Sequence, residues 1–179
     1  MRDLVFIDTE TTGLSPRRHE VIDIWARRVR ADTLDLVAEA GGLVLPKRID
    51  EADPEALAIN GYDPDRWAAE ARPWADVWAE VEPLIDGATI VAHNIAFDAR
   101  MINAACIRDS CASIVNHDAG IDTVDLAQPL KASGLVGSVS LDTLVGHFGI
   151  EIDGALAHSA RGDVLRTVEV YRRLVEEAP

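Results

Sequence analysis

Three short apolar segments near the start of the chain have the pattern of β-strands. Residues 4–7 are an unbroken apolar run that ends at Asp8, which is typical of a central strand buried on both faces. Val21–Val29 predicts a second strand, and residues 43–45, closed by Pro46, predict a third. Because the segments follow one another closely, we expect an antiparallel meander.

The middle of the chain changes to helical periodicity. Pro54 follows Asp53, which is a suitable helix N-cap, so a helix is expected to begin there. After Pro73, apolar residues recur at helical spacing over residues 74–85, and Gly87 is expected to end that helix. The tryptophans of this region are expected to pack the helix rather than to bind a partner.

Strands and helices alternate in the second half. Thr89–Ala92 predicts a strand, residues 97–109 predict a helix after it, and residues 122–127 predict a last strand. Residues 140–148 predict a helix that a glycine ends, and residues 160–177 predict a final amphipathic helix. Strands followed by alternating helices indicate an α/β layer fold.

Size and composition limit the class of protein. The chain has 179 residues and a mass of 19.4 kDa, so residues 1–179 are expected to form a single domain. Apolar residues make up 48% and charged residues 27%, which excludes a largely disordered chain. No apolar run reaches the roughly 18 residues of a membrane helix, and no signal-peptide pattern is seen. We therefore expect a cytoplasmic protein, without a membrane partner, whose Cys106 and Cys111 are reduced.

The charge of the chain bears on its partners. Lys and Arg number 17 and Asp and Glu number 31, which gives a net charge of −14. A protein that holds long duplexes by their phosphates usually has the opposite sign. Either the partner is not a nucleic acid, or it is reached through bound cations and a local basic patch, and the motifs below favour the second alternative. The basic candidates are Arg17, Arg18, Arg27, Arg28 and Arg30, with Arg100, Arg161 and Arg166 nearer the motifs below. The first five form either a solvated edge strand or a path for nucleic acid.

Two carboxylates lie at the exit of the first strand. Asp8 and Glu10 are two residues apart, and such residues point to the same face of a strand. A solvated strand end is the simpler interpretation of an Asp-x-Glu pair in so acidic a chain. It fits poorly here, because the preceding apolar run places the pair at the mouth of the core.

Two further segments carry chemistry at strand ends and helix starts. Residues 93–98 follow an apolar strand, and Asp98 is expected on the first turn of the next helix, where ligand-facing residues collect in α/β sheets. Residues 158–163 place His158 in a loop and Asp163 in the first turn of the last helix. Each residue alone has a simple structural interpretation, as a helix-dipole partner or a solvated histidine.

Taken together, the four carboxylates and the histidine predict a metal-dependent reaction. Clustered acids repel one another unless cations are bound, and oxygen ligands suit Mg²⁺ or Mn²⁺. Two such ions about 3.5–4 Å apart can clamp the attacking and leaving oxygens of a phosphoryl displacement. A histidine with a pKa of about 6.5 can accept the proton of the attacking water. This set of groups suits hydrolysis of a phosphodiester.

Three segments resemble the signature motifs of the DEDDh 3′–5′ exonucleases, and most closely those of the proofreading epsilon subunits of bacterial DNA polymerase III. They are residues 6–14 (FIDTETTGL), 91–98 (VAHNIAFD) and 158–163 (HSARGD). The similarity extends to residues 20–24, 59–73, 122–127 and 141–144, and so covers nearly the whole chain. It implies a ribonuclease-H-like fold, with a five-stranded mixed sheet of strand order 3-2-1-4-5 flanked by helices.

The resemblance also implies roles for individual residues. Asp8, Glu10, Asp98 and Asp163 are expected to bind two divalent ions, Mg²⁺ or Mn²⁺, and His158 is expected to be the general base. The expected contacts to the 3′-terminal nucleotide, or supports of the site, are Thr11, Thr12, Leu14, Glu55, Asn60 and Asn94. The implied activity is removal of nucleoside monophosphates from the 3′ end of single-stranded DNA, in proofreading or repair.

Two other functions remain open on the sequence. One is an exoribonuclease of the same chemistry that acts on short RNA. Oligoribonucleases usually have Asp-Leu-Glu-Met-Thr-Gly at the first motif, whereas residues 8–13 of this chain are Asp-Thr-Glu-Thr-Thr-Gly. This difference favours DNA as the substrate. The other is a non-catalytic module that binds 3′ ends, which the presence of all five site residues disfavours. Because the sequence stops at Pro179, just after the last helix, we expect a protein that acts alone or meets a polymerase or repair partner through another surface.

Overall fold

A computed structural model describes residues 2–111, 115–152 and 159–176. Its strands are β1 (Leu4–Thr11), β2 (Val21–Val29), β3 (Leu36–Leu43), β4 (Thr89–Ala92) and β5 (Ile121–Asp122). Its helices are α1 (Pro54–Ile59), α2 (Pro64–Glu70), α3 (Trp74–Ile85), α4 (Ile95–Arg108), α5 (Thr123–Ala132), α6 (Leu141–Phe148) and α7 (Ala160–Glu176), with a 3₁₀ turn at Ile49–Glu51.

The strands form one mixed sheet in the order β3-β2-β1-β4-β5. β1, β2 and β3 are an antiparallel meander, while β4 runs parallel to β1 and β5 runs parallel to β4. This order is the one that the resemblance implies, so the fold prediction is confirmed. β1 lies in the centre of the sheet, which explains why its first residues are continuously apolar.

Helices cover both faces of the sheet, and β1 supplies side chains to both. Val5 and Ile7 belong to the core formed with α3 and α4. Leu4 and Phe6 point to the opposite face, where they pack against α7. Phe6 also makes an edge-to-face contact with Tyr171, with ring centroids 5.5 Å apart. The two layers hold β1 in a fixed register.

The third strand was predicted too late in the sequence. The structure places β3 at Leu36–Leu43, and of the predicted residues 43–45 only Leu43 belongs to it. β3 is the sheet edge and is mostly half-exposed or exposed, with a Gly-Gly pair at 41–42, so it lacks the apolar run by which the prediction was made. Its pairing with β2 depends on backbone hydrogen bonds, which leave little trace in the sequence.

The last strand was also wrong in extent. β5 is only Ile121–Asp122, and the predicted strand residues 123–127 belong to α5. The Asp122 carboxylate accepts a hydrogen bond from the amide of Val124, 2.9 Å away, and so caps the helix. Asp122 therefore ends the strand and starts the helix within one residue.

The other boundaries agree with the sequence to within about two residues. Asp53 caps α1 as predicted, and Ser140 and Gly149 cap the two ends of α6. Trp67, Trp74 and Trp78 are buried, which confirms their packing role. Both cysteines are free thiols. Among the described residues, no helix has the length and apolarity to cross a membrane.

Candidate active site

Two carboxylates lie on the half of β1 that extends past its pairing with β4. That pairing ends at Phe6 and Val91, whereas β2 accompanies β1 to its end, with Asp8 opposite Trp25 and Glu10 opposite Asp23. Asp8 and Glu10 are half-buried and share one face of the strand. The structure therefore opens the sheet beside this pair of acids.

A third carboxylate reaches the pair from the first turn of α7. Ligand oxygens of Asp8, Glu10 and Asp163 all lie within 4.8 Å of one another. The backbone amide of Asp163 donates a hydrogen bond to the carbonyl oxygen of Ser159 at 3.0 Å. The side-chain Oδ1 of Asp163 accepts a hydrogen bond from Arg166 Nη1 at 3.2 Å. Three oxygen donors converging on one point are suited to a hard divalent cation. We refer to Asp8, Glu10 and Asp163 as the carboxylate centre.

Asp98 lies beside the carboxylate centre, in the first turn of α4. It is buried, and its Oδ1 accepts a hydrogen bond from Thr9 Oγ1 at 2.7 Å. Its charge raises the pKa of both Asp8 and Glu10, so it is electrostatically part of the site. It does not belong to the group of three whose oxygens lie within 4.8 Å of one another.

Burial raises the pKa values of Asp8, Glu10 and Asp98, and repulsion by neighbouring acids raises them further. Burial, followed by the charges of Asp98 and Asp163, holds the pKa of Asp8 well above its usual range. Burial and the charge of Asp163 raise the pKa of Glu10 to about 8. Burial raises the pKa of Asp98 to about 7, against the hydrogen bond from Thr9. Ionised together, these groups are unfavourable without a positive partner, and an acidic group of this kind fits a metal site.

The turn after β1 uses its two threonine side chains internally. Thr11 Oγ1 donates to Gly13 O at 3.0 Å, and Thr12 Oγ1 accepts from the amide of Glu20 at 2.9 Å. Both threonines are buried. Leu14, by contrast, is 80% exposed, and it projects from a turn that these bonds hold in place. The predicted contact of Leu14 with the terminal nucleotide stays a prediction.

The remaining predicted contacts surround this turn. Asn60 Nδ2 donates to Thr11 O at 2.8 Å and so ties the end of α1 to the end of β1. Glu55 is exposed on the first turn of α1. Asn94 is an exposed N-cap of α4 in the left-handed conformation, with φ 71°. The predicted roles of these residues toward a nucleotide stay predictions. His158 lies outside the described residues.

Two acids that support the site were not identified from the sequence. Asp23 Oδ2 accepts a hydrogen bond from the amide of Ala160 at 3.1 Å and caps the start of α7, and burial raises its pKa to about 6. Asp122 accepts from the amides of Asn94 and Ile95, at 2.9 and 3.0 Å, and caps the start of α4. The sequence offers one signal for Asp23, which is an acid inside the apolar run of residues 21–24.

The arginine cluster of residues 17–30 divides into two groups. Arg27 pairs with Glu39 at 2.5 Å, and Arg28 pairs with Asp3 at 2.9 Å. β2 is an inner strand, so neither a solvated edge nor a free basic path describes these two. Arg17, Arg18 and Arg30 are exposed, and no carboxylate of the described residues forms an ion pair with them.

Fold and site together define a class: a five-stranded mixed sheet of ribonuclease-H-like order with an acidic centre fit for a metal. A family model described as an exonuclease, RNase_T, matches residues 5–171. The chain therefore belongs to the RNase_T exonuclease family, whose members include nucleases of the DEDDh type.

Relatives in this family have two kinds of name. Ribonuclease T of Shewanella denitrificans is 31% identical over 96% of this chain and 79% of its own length. DNA polymerase III subunit epsilon of Treponema pallidum is 27% identical over 94% of this chain and 74% of its own. An epsilon-like protein of Rhodobacter capsulatus is 31% identical, but this chain spans only 23% of its length.

Solved structures confirm the fold. Exonuclease I of Methylocaldum szegediense superimposes with a TM-score of 0.82 at 23% identity, over the whole of this chain and 41% of that protein. A zinc-bound complex of E. coli exonuclease I with single-stranded DNA gives a TM-score of 0.81 at 22% identity. This chain thus spans about two fifths of the length of these enzymes, as the 41% and 42% coverage values show.

Proposed function

We propose that the chain is one exonuclease domain that removes nucleoside monophosphates from the 3′ ends of single-stranded nucleic acid, with DNA as the favoured substrate. One observation carries the proposal: Asp8, Glu10 and Asp163 converge in a member of an exonuclease family, with Asp98 beside them. The 3′–5′ direction rests on the resemblance of the three motifs to the DEDDh exonucleases.

The carboxylate centre and Asp98 would hold two divalent cations, Mg²⁺ or Mn²⁺. When bound, such ions neutralise the scissile phosphate and lower the pKa of a coordinated water. The raised pKa values of Glu10 and Asp98 support this assignment, because only a cation would keep so many neighbouring acids ionised near neutral pH.

The remaining groups would act on the substrate directly. His158 is assigned as the general base that accepts the proton of the attacking water, on the resemblance of residues 158–163 to the third motif. Leu14 would stack against the terminal base, while the backbone around Thr11 and Thr12 would meet the terminal sugar. Glu55, Asn60 and Asn94 would support that nucleotide.

The charge distribution supports a short single-stranded end rather than a long duplex. Most of the 17 basic side chains already pair with carboxylates, as the ion pairs of Arg27, Arg28 and Arg72 illustrate. Arg17 and Arg18 stand close in sequence to Leu14 and are the basic side chains best placed for the entering phosphates. Binding through so few arginines would be weak and sensitive to salt.

A second candidate is an exoribonuclease of the same chemistry. It is favoured by the 31% identity to ribonuclease T over 79% of that protein's length. The chain is similar both to this ribonuclease and to epsilon subunits. Family membership alone therefore does not decide between DNA and RNA as the substrate. A polymerase or repair partner also belongs to the proposal, and of the two only the polymerase is supported by the names of the epsilon relatives.

A gel assay tests the proposal. Single-stranded DNA and RNA of one sequence, labelled at the 5′ end, are incubated with the protein in Mg²⁺, Mn²⁺ or chelator, beside Asp8→Asn and His158→Ala. We expect a metal-dependent ladder that shortens from the 3′ end, is faster on DNA and is lost in both variants. A faster RNA ladder would select the exoribonuclease. Binding without degradation in either metal would contradict both and support a 3′-end binding module.

A further inference from the structure

The start of α7 is fastened to the sheet next to the carboxylate centre. The residues of β2 that lie opposite Glu10 and Asp8 are Asp23 and Trp25. Asp23 accepts a hydrogen bond from the first amide of α7. The guanidinium of Arg161 lies over the Trp25 ring, 5.0 Å from its centroid. Asp23 and Trp25 thus contact the first two residues of α7, the helix that carries Asp163.

An ion pair extends this attachment to the edge of the sheet. Arg161 Nη2 lies 2.9 Å from Glu39 Oε1, on β3. The other oxygen of Glu39 lies 2.5 Å from Nη1 of Arg27, its register partner on β2. The side chain of Glu39 is only 20% exposed, so it is a partly buried acceptor held between two arginines. Such a geometry is worth more than an isolated surface pair.

The contacts of Arg161 hold the first turn of α7, whereas other residues hold the body of the helix. Val164 and Val168 pack against Leu4 and Phe6, which holds the body of the helix on the sheet. The first turn carries the third acid, and helix ends fray because their backbone groups lack partners within the helix. Repulsion within the carboxylate centre would push that turn outward when no cation is bound. Arg161 belongs to the same turn, so its contacts oppose this movement.

We propose that Arg161 and Glu39 form a clamp that positions Asp163 for cation binding. Arg161 is a positioning residue: it acts through the first turn of α7 and does not contact substrate. The clamp rests on the proposed function, because it assumes that the carboxylate centre binds divalent cations. The stacking on Trp25 orients the guanidinium, and Glu39 anchors it.

The test measures Mn²⁺ affinity by electron paramagnetic resonance, together with kcat and KM on a short oligonucleotide. Arg161→Met keeps an apolar stem over Trp25 and removes the charge, while Glu39→Gln removes the anchor. We expect each to weaken Mn²⁺ binding by roughly 10- to 100-fold, as outer-shell substitutions do at metal sites. KM for the oligonucleotide should be unchanged, and activity should recover at high Mn²⁺. The double variant should be no worse than the worse single variant.

Two control variants separate the clamp from a general loss of charge on α7. Arg172→Met removes a pair on the same helix, to Glu169 at 3.3 Å, and should behave as wild type. Arg161→Lys should restore much of the affinity. If Arg161→Met fails to fold, Glu39→Gln still measures the anchor.

Where wild-type protein binds Mn²⁺, two results from the variants would overturn the clamp. The first is wild-type Mn²⁺ affinity with a raised KM in Arg161→Met, which would make Arg161 a substrate contact. The second is a Glu39→Gln variant with wild-type affinity. Wild-type protein that binds Mn²⁺ but degrades nothing would contradict the proposed function and leave the clamp measurable by affinity. Wild-type protein that binds no Mn²⁺ would overturn both.

Discussion

The two halves of β1 have opposite chemistry in one continuous strand. Residues 4–7 are apolar, buried and packed between two helical layers. Residues 8–11 extend beyond β4 and carry two acids whose pKa values burial raises. The first half gains stability from burial, while the second half loses stability by gathering charges. One strand thus both anchors the fold and presents two acids of a cluster that fits a cation site.

Removing an acid of the second half, or its partner on α7, should have the greatest consequence for activity. Asp8→Asn or Asp163→Asn should reduce kcat by roughly 10³-fold, about 4 kcal/mol of transition-state stabilisation. Neither variant should lower the melting temperature measured in chelator at pH 8, because each relieves repulsion. Asp125→Asn is the matched control, since Asp125 is an acid on the first turn of α5. Full activity in Asp163→Asn would contradict the assignment.

Substitution in the first half should have the reverse outcome. Phe6 is fully buried against Tyr171, so Phe6→Ala should lower the free energy of unfolding by about 3–5 kcal/mol. The molecules that remain folded should keep their kcat. Leu36→Ala, at a half-exposed position of β3, should cost less than about 0.5 kcal/mol. Urea unfolding measures both, and equal costs would argue against the packing described.

The pH dependence of stability should identify the second half as a set of repelling acids. In chelator the folded chain holds protons on Glu10 and Asp98 up to about pH 8 and 7, whereas the unfolded chain loses them near the ordinary values of 4.5 and 3.8. The folded state therefore binds more protons in this interval, and the melting temperature should fall as pH rises through it. Mn²⁺ should raise the melting temperature more at pH 8 than at pH 6. A stability that rises with pH from 5 to 8 in chelator would contradict this sign.

A weaker effect is expected in the turn that follows the second half. Arg17→Ala or Arg18→Ala should weaken binding of single-stranded DNA modestly. Each should reduce the slope of log affinity against log salt by about 0.7 if one phosphate contact is lost. Arg30→Ala is the control. Arg30 is exposed and directly follows the last residue of β2, at the end of the strand that lies far from Glu10. An unchanged salt slope in both variants would remove this turn from the path of the substrate.

The sequence predicted the parts of the molecule that are coded locally. The apolar run at 4–7, the cap at Asp53 and the capped helix α6 depend on neighbouring residues, and each was found. The resemblance of three motifs supplied the strand order, which no spacing argument yields. The acids of the site were named because they follow such local elements.

The rest depends on pairing between distant segments. β3 is an edge strand whose partner, β2, decides its bounds, so its own pattern was misleading. Asp23 and Asp122 cap helices α7 and α4, which begin far from them in the sequence. An acid inside the apolar run of residues 21–24 is noticeable, but its neighbours do not show which helix it caps. Arg27 and Arg28 could not be separated from Arg17 and Arg18 until their partners were seen.

The proposed nuclease activity and the proposed clamp both depend on a cation site formed by the second half of β1 and the start of α7. Isothermal titration of metal-free protein with Mn²⁺ at pH 8 measures this binding, with Asp8→Asn and Asp125→Asn beside wild type. We expect saturable binding of two ions by wild type and by Asp125→Asn, and loss of binding in Asp8→Asn. Absence of binding by wild type, or equal binding by Asp8→Asn, would contradict the cation site.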